Sequence, residues 1–255
     1  MRFGRAIPNV GYEVWYRREM NRLIRRMNKE VISEIENLYN DTFAKDAPLS
    51  VAQQMKQLRA KWYKEFEKRG REAARRIATK VHNRTRKQIA DKLKETGINI
   101  QPQYTIKEKS VMAVMVLHNV KLIKSIPQKY LLSVQRIVTR AWFSGGDMQY
   151  IIDRIKKKID KSYKNAERRA YLIAKDQMNK ITQQWARYDA MAYGATAGVW
   201  IHVPGEFTSR ETHIHMNGQK FDLQTGLFDP DVNKNVLPAD LPFCWCQNEF
   251  IFGEE

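Results

Sequence analysis

A chain of 255 residues, 43% hydrophobic and 29% charged, is long enough to bury one large core or two smaller ones. Its net charge of +17 points to an anionic neighbour: nucleic acid, a membrane surface or an acidic protein. No apolar run approaches the ~18 residues of a membrane span, Met1 to Tyr16 lacks the apolar core of a signal peptide, and two cysteines are too few for a secreted disulfide scaffold, so the expected site of synthesis is a reducing cytoplasm.

The charge is uneven. Residues 201–255 hold three Lys/Arg against nine Asp/Glu, a net −6, which leaves +23 on residues 1–200. Two parts with different partners are expected.

Residues 1–12, with Gly4, Pro8 and Gly11, read as an irregular arm. Tyr16, Met20, Leu23, Ile24, Met27, Val31, Ile35 and Leu38 then recur at helical spacing, with Arg17, Arg18, Arg22, Arg25 and Lys29 opposite them. Asn40-Asp41 is the expected stop. Ser50 is placed to cap a second helix, whose stripe runs Val51, Met55, Leu58, Trp62, Phe66 and resumes after Gly70 with Ala73, Ile77, Val81, Ile89 and Leu93. This is one helix bent near Gly70 or two meeting there, ending near Gly97. Residues 98–118 form a connector that pairs as a strand or docks on the helices. Three further helices are expected: Gln128–Phe143, one from Met148 through Ile159 capped by Asp147 after the Ser144-Gly145-Gly146 break, and one from Asn165 that ends before Gly198. From Val199 the helical period disappears. Short strands are expected at Trp200–Val203, Phe221–Leu223 and Asn248–Phe252. The fold class is mainly α (α+β): an elongated helical body, residues 1–198, with a small mixed strand/loop knot at 199–255. No internal repeat or low-complexity tract is present.

Three groups of residues carry chemistry. His213, His215, Cys244 and Cys246 offer imidazole and thiolate, the donors of a tetrahedral structural zinc site, although Cys-x-Cys is tighter than the usual Cys-x2–4-Cys arm. The alternative is that they are packed, hydrogen-bonded core groups. A disulfide between the two cysteines would close a small, strained ring. Second, Glu206, Arg210, Glu211 and His213 combine carboxylate, guanidinium and imidazole, a set suited to acid–base or phosphodiester chemistry, or to fixing a loop through an Arg210–Glu206 pair. Third, Arg71, Arg75, Arg76, Lys80, Arg84 and Lys87 make the second helix the most basic stretch. They are candidates for sequence-independent contact with DNA phosphates.

Three stretches together resemble a known family. Asn119-Val120-Lys121-Leu122-Ile123-Lys124-Ser125-Ile126-Pro127 leads through Tyr130 to Ser144-Gly145-Gly146. Arg168 to Gln177, containing Ala174-Lys175-Asp176-Gln177, is followed by Lys180. Trp200 is followed by Arg210-Glu211-Thr212-His213, Gly218 and Phe221, and the set closes on Pro242-Phe243-Cys244-Trp245-Cys246. Their order and spacing over residues 119–252 are similar to the phage head morphogenesis family typified by the phage Mu F-like minor head proteins. The family pattern is Asp-x-Arg-x-Arg-x-x-His where this chain has Glu206, Thr208, Arg210 and His213. It has Arg where Lys175 stands, and Cys-Arg-Cys where Trp245 is central.

The resemblance implies a division into a basic helical region (1–118), the helical part of a Mu F-like domain (119–198) and the knot with its His/Cys cluster (199–255). Asp176, Gln177, Trp200, Glu206, Arg210, His213 and Gly218 would be its structural motif. It also implies a minor structural protein of the virion rather than an enzyme. Such a protein is made in the bacterial host cytoplasm and sits inside the phage head near the portal. Its partners would be the portal protein, the major capsid or scaffolding protein and packaged double-stranded DNA, with no membrane. No cofactor is required beyond a possible structural zinc. Two other readings stand beside it: a DNA-processing hydrolase or transferase using Arg210 and His213, and a host-encoded basic DNA-binding protein.

Overall fold

A computed structural model describes residues 2–41, 47–97, 99–104, 106–143, 148–205 and 207–253. The expected Ser144-Gly145-Gly146 break, the Asp147 cap and Glu206 lie outside the described residues. The architecture is mainly α with a small sheet region towards the C-terminus. Four long helices, α1 (Val10–Asp41), α2 (Ala47–Glu95), α3 (Glu108–Phe143) and α4 (Met148–Ala192), precede one short one, α5 (Glu211–His215). No helix among the described residues is long and apolar enough to cross a membrane.

The chain divides into two compact units, and the divisions fall inside α1, α2, α3 and α4. One unit comprises residues 14–74 and 117–173. Here the stripes legible in the sequence become one core: Tyr16, Met20, Ile24 and Met27 of α1, Met55, Trp62 and Phe66 of α2, Ile123, Val134 and Val138 of α3, and Ile155, Ile159 and Ala170 of α4 are all buried. Polar pairs fix the helix directions. Tyr16 meets Asn119 and Asn28 meets Tyr130, so α1 and α3 run parallel. Lys61 pairs with Glu30 and Arg26 with Glu65, so α2 is antiparallel to α1. Arg169 reaches Ser125 and Ser162 reaches Ser133, so α4 is antiparallel to α3. Gly70 lies inside a continuous α2, where a Cβ would come 3.0 Å from the Ile123 side chain, so the glycine lets α3 approach closely.

The second unit comprises residues 1–13, 75–116 and 174–255. Its sheet has strand order β1 (Arg2–Phe3), β6 (Gln247–Phe252), β2 (Ala195–Ile201), β3 (Lys220–Phe221), every pairing antiparallel. A separate hairpin pairs β4 (Leu227–Asp229) with β5 (Lys234–Val236). The sheet packs through Phe3, Trp200, Phe221, Phe250 and Phe252 onto Ile89 and Leu93 of α2 and Ala186 and Ala190 of α4. Asp189 on α4 is fully buried and accepts hydrogen bonds from Thr85 and Tyr104 while facing His82 at 3.0 Å; the His82 ring stacks on Trp185.

Several boundaries differ from the sequence reading. The connector at 98–118 contains no strand among its described residues; its apolar run Val111–Leu117 is the first part of α3, which continues through Pro127 instead of starting at Gln128. Proline removes one amide donor from the helix, and burial of Ile123, Ile126, Tyr130 and Leu131 on either side keeps α3 continuous. The two helices expected after residue 147 are one, α4, because no breaker intervenes between Ile159 and Asn165. Ser50 lies within α2 rather than at its cap. Near the other end, α2 stops at Glu95 and Gly97 adopts φ +78, the left-handed conformation common just past a helix end. Strand β2 begins at Ala195, before the expected Trp200, and residues 2–3 of the expected irregular arm form an edge strand.

Candidate metal centre

The His/Cys knot is assembled in the second unit by three local devices. The first is α5. Arg210 occupies its N-cap position, and its Nη2 donates to the Pro242 carbonyl at 3.0 Å, tying α5 to the cysteine loop. On so short a helix His213 and His215 project roughly 200° apart. His213 is buried; His215 is exposed and lies 3.8 Å from Glu211. His215 is therefore not a member of the cluster, correcting the expected donor set. The helical twist directs only one of the two imidazoles inward.

The second device is the polar face of α4 beneath the cysteine loop. Asp176 accepts a hydrogen bond from the Phe243 amide at 2.7 Å. Asn179 donates to the carbonyls of Cys244 (3.1 Å) and Cys246 (3.3 Å). Gln183 accepts from the Asn248 amide and donates to the Ala6 carbonyl. These three residues recur at i, i+3 and i+7, one face of a helix. Gln177 donates to Asp176, and Lys180 pairs with it at 3.3 Å, both largely buried. Phe243 takes φ +54, a conformation held where its amide is anchored.

The third device is the sheet. Trp200 is fully buried, its indole edge against the His213 ring at 5.0 Å. Its carbonyl accepts from the amide of Gly218, which adopts φ +80 at the turn that returns the chain from α5 to β3.

These devices bring together His213, Cys244 and Cys246, whose donor atoms all lie within 4.8 Å of one another, all buried. His213 Nδ1 is 3.3 Å from Cys244 Sγ and 3.6 Å from Cys246 Sγ. A tetrahedral ion with Zn–S and Zn–N bonds of ordinary length separates sulfur and nitrogen donors by about 3.6 Å, so the spacing suits a shared ion. The other ring nitrogen, Nε2, faces Asp229 Oδ2 at 3.2 Å. Asp229, fully buried at the end of β4, is held by accepting a hydrogen bond from the Asp231 amide. A carboxylate behind a histidine fixes the tautomer and raises the basicity of the coordinating nitrogen. Both cysteines are free thiols.

The titration behaviour of the three groups is divided. The Cys244 thiol is pushed up by its hydrogen bond to Cys246 and by burial. Cys246 is held below the usual thiol range by the same hydrogen bond, with the Val203 amide adding to the effect. For His213, burial opposes the charged form, but the hydrogen bond and charge of Cys244 outweigh it and the value rises. Binding of a divalent cation would require both sulfurs as thiolates.

Lys175 and Trp245 meet in space: the Lys175 ammonium sits 3.9 Å from the centre of the Trp245 ring, a cation–π contact. Gly205 lies against the same ring, where a Cβ would approach to 3.0 Å. Of the DNA-contact candidates, Arg75, Arg76, Lys80 and Lys87 are exposed, Arg84 is half-buried, and Arg71 is exposed but paired with Glu67 at 3.5 Å. Asp229 and Asn179 were not anticipated. Their signal was weak: isolated polar residues, one in a loop-rich tail and one between apolar helix positions.

No family model and no solved structure matches the chain. It is 28% identical over 231 residues to an uncharacterized protein of Haemophilus influenzae (strain Rd), an alignment covering 86% of this chain and 49% of that protein. The chain thus spans about half the length of the curated relative it matches, and that relative's description states no activity.

Proposed function

We propose that this chain is a minor structural protein of a tailed-phage head. It is made in the bacterial host cytoplasm and held inside the virion near the portal. There it joins the portal and the major capsid or scaffolding protein and touches packaged double-stranded DNA. One observation carries the structural side of this reading: the motif residues are occupied in holding their own chain. Asp176 holds the Phe243 amide, Arg210 the Pro242 carbonyl and Gly218 the Trp200 carbonyl. A guanidinium and a carboxylate committed to backbone groups serve the fold rather than a substrate, which favours a scaffold over a hydrolase built on Arg210 and His213. The order of the motifs along residues 119–252 and the +23 charge of residues 1–200 agree with a head component surrounded by polyanion.

Within this reading His213, Cys244 and Cys246 hold a structural zinc ion. Two thiolates and an imidazole are the soft-to-borderline donors that zinc prefers, and a small loop-rich knot gains stability from such a staple. The ion would crosslink α5 to the cysteine loop.

The test is mass spectrometry of purified heads from a phage producing this chain, combined with a portal pull-down from the same lysate. The chain is expected at low copy in heads and in the portal fraction. Its absence from both overturns the assignment.

A further inference from the structure

The zinc reading leaves one position of the tetrahedron to be filled, and the sheet supplies a residue for it. In the β2–β6 ladder Trp200 lies opposite Asn248 and Ile201 opposite Gln247. One step further the same register sets His202 opposite Cys246. Directly opposed residues of an antiparallel pair have neighbouring side chains, and His202 Nδ1 is indeed 3.6 Å from Cys246 Sγ. That is the nitrogen–sulfur separation of about 3.6 Å expected across a tetrahedral zinc site, equal to the His213–Cys246 distance. His202 stands outside the set of donors that all lie within 4.8 Å of one another, so binding an ion would draw its ring inward from Cys246. His202 is also fixed from its backbone, since its amide donates to Asn217 Oδ1 at 2.8 Å. His202 is half-buried, beside the same Cys246 sulfur that His213 faces.

We infer that His202, and not His215, is the fourth ligand, completing a Cys2His2 centre of Cys244, Cys246, His213 and His202, each histidine binding through Nδ1. The inference rests on the zinc reading and decides its character. Three protein ligands leave a zinc ion an open position for water, the arrangement of catalytic sites, whereas four close the shell and make the site structural. A closed shell also joins three elements at one atom: the end of β2 through His202, α5 through His213 and the segment before β6 through the cysteines. His215 faces solvent beside Glu211 and takes no part.

The experiment uses the full chain, with zinc affinity measured by chelator competition and coordination read from the visible absorption of the cobalt(II)-substituted protein. The wild type is expected to bind one zinc ion and to give the intense bands of tetrahedral cobalt with thiolate charge transfer. His215→Ala should match it. His202→Ala should bind zinc at least ten-fold more weakly, since losing an outer-shell partner alone costs roughly 10–100-fold, and its cobalt bands should weaken as water enters. His202→Cys, which restores a donor, should recover affinity and intense tetrahedral bands; this separates lost ligation from a fold that merely fails without the imidazole. A wild-type chain that binds no zinc overturns the zinc reading and this inference together. Bound zinc with His202→Ala indistinguishable from wild type overturns the fourth ligand alone, as does loss on His215→Ala instead.

Discussion

At the scale of single residues, the donors of the candidate metal centre are only partly legible in the sequence. Cys244 and Cys246 announce themselves by residue type, despite a spacing tighter than the usual Cys-x2–4-Cys arm, and His213 by its place in the Arg-x-x-His element. His215 looked equally suitable, because a linear string does not show which of two residues in a five-residue helix faces inward. His202 was hidden for a different reason: its partnership with Cys246 depends on the register of two strands 46 residues apart in sequence, and register is a tertiary property. Asp229 was hidden too, since an acid in a turn-rich tail is ordinarily solvated, whereas here it is fully buried behind His213. Its role yields a prediction. Asp229→Asn keeps the shape and an acceptor for the His213 Nε2–H and removes the negative charge, so zinc should bind roughly 10–100-fold more weakly while the tetrahedral cobalt spectrum persists. Unchanged affinity in chelator competition would show that Asp229 only shapes the hairpin.

At the scale of elements, helix existence was legible and helix continuity was not. The apolar stripes of α1 and α2 were read residue by residue, and Tyr16, Met20, Ile24, Met27, Trp62 and Phe66 are all core. The misreadings arose where local propensity competed with packing. Pro127 looked like a start because it lacks an amide donor, but the buried residues on both sides outweigh one missing hydrogen bond. The sheet was anticipated by segment and not by pairing, and here glycine is the informative residue. Gly198 of β2 lies opposite Phe221 of β3, and a Cβ there would sit 2.3 Å from the Phe221 ring. The absent side chain makes room for that ring to lie across the strand, against the edge of Trp200. Gly198→Ala must displace a buried aromatic ring, so the urea midpoint should fall by the equivalent of about 1–3 kcal/mol, the usual cost of overpacking. Adding Phe221→Leu should recover part of the loss. A midpoint unmoved by Gly198→Ala would mean that the ring has room to shift and that the glycine is incidental.

At the scale of the whole chain, charge is the property that the sequence states most directly and that folding leaves on the surface. Exposed guanidinium and ammonium groups of residues 1–200 stand in both compact units. In one unit, Arg17, Arg18, Arg22 and Arg25 of α1 line a concavity together with Asn21, Glu167 and Tyr171, and the Arg17 guanidinium lies 5.4 Å from the Tyr171 ring centre. In the other, Arg75, Arg76, Lys80 and Lys87 are exposed along α2. The sequence carries no recognisable DNA-binding motif, and several of the basic residues are already paired with carboxylates, as Arg22 is with Glu19 and Arg71 with Glu67. Binding to duplex DNA should therefore be sequence-independent and governed by counterion release, with log affinity falling by about 0.9 per phosphate contacted for each decade of salt. The two surfaces can be separated by this slope. Arg18→Gln with Arg25→Gln, and Arg75→Gln with Arg76→Gln, each remove two charges without touching a core residue. If a set contacts phosphate, its double variant should lower the slope by about 2 while binding random-sequence duplexes with uniformly reduced affinity. A slope that stays at the wild-type value in both variants would remove DNA from the partners of these helices and leave an acidic protein surface as what their charge answers.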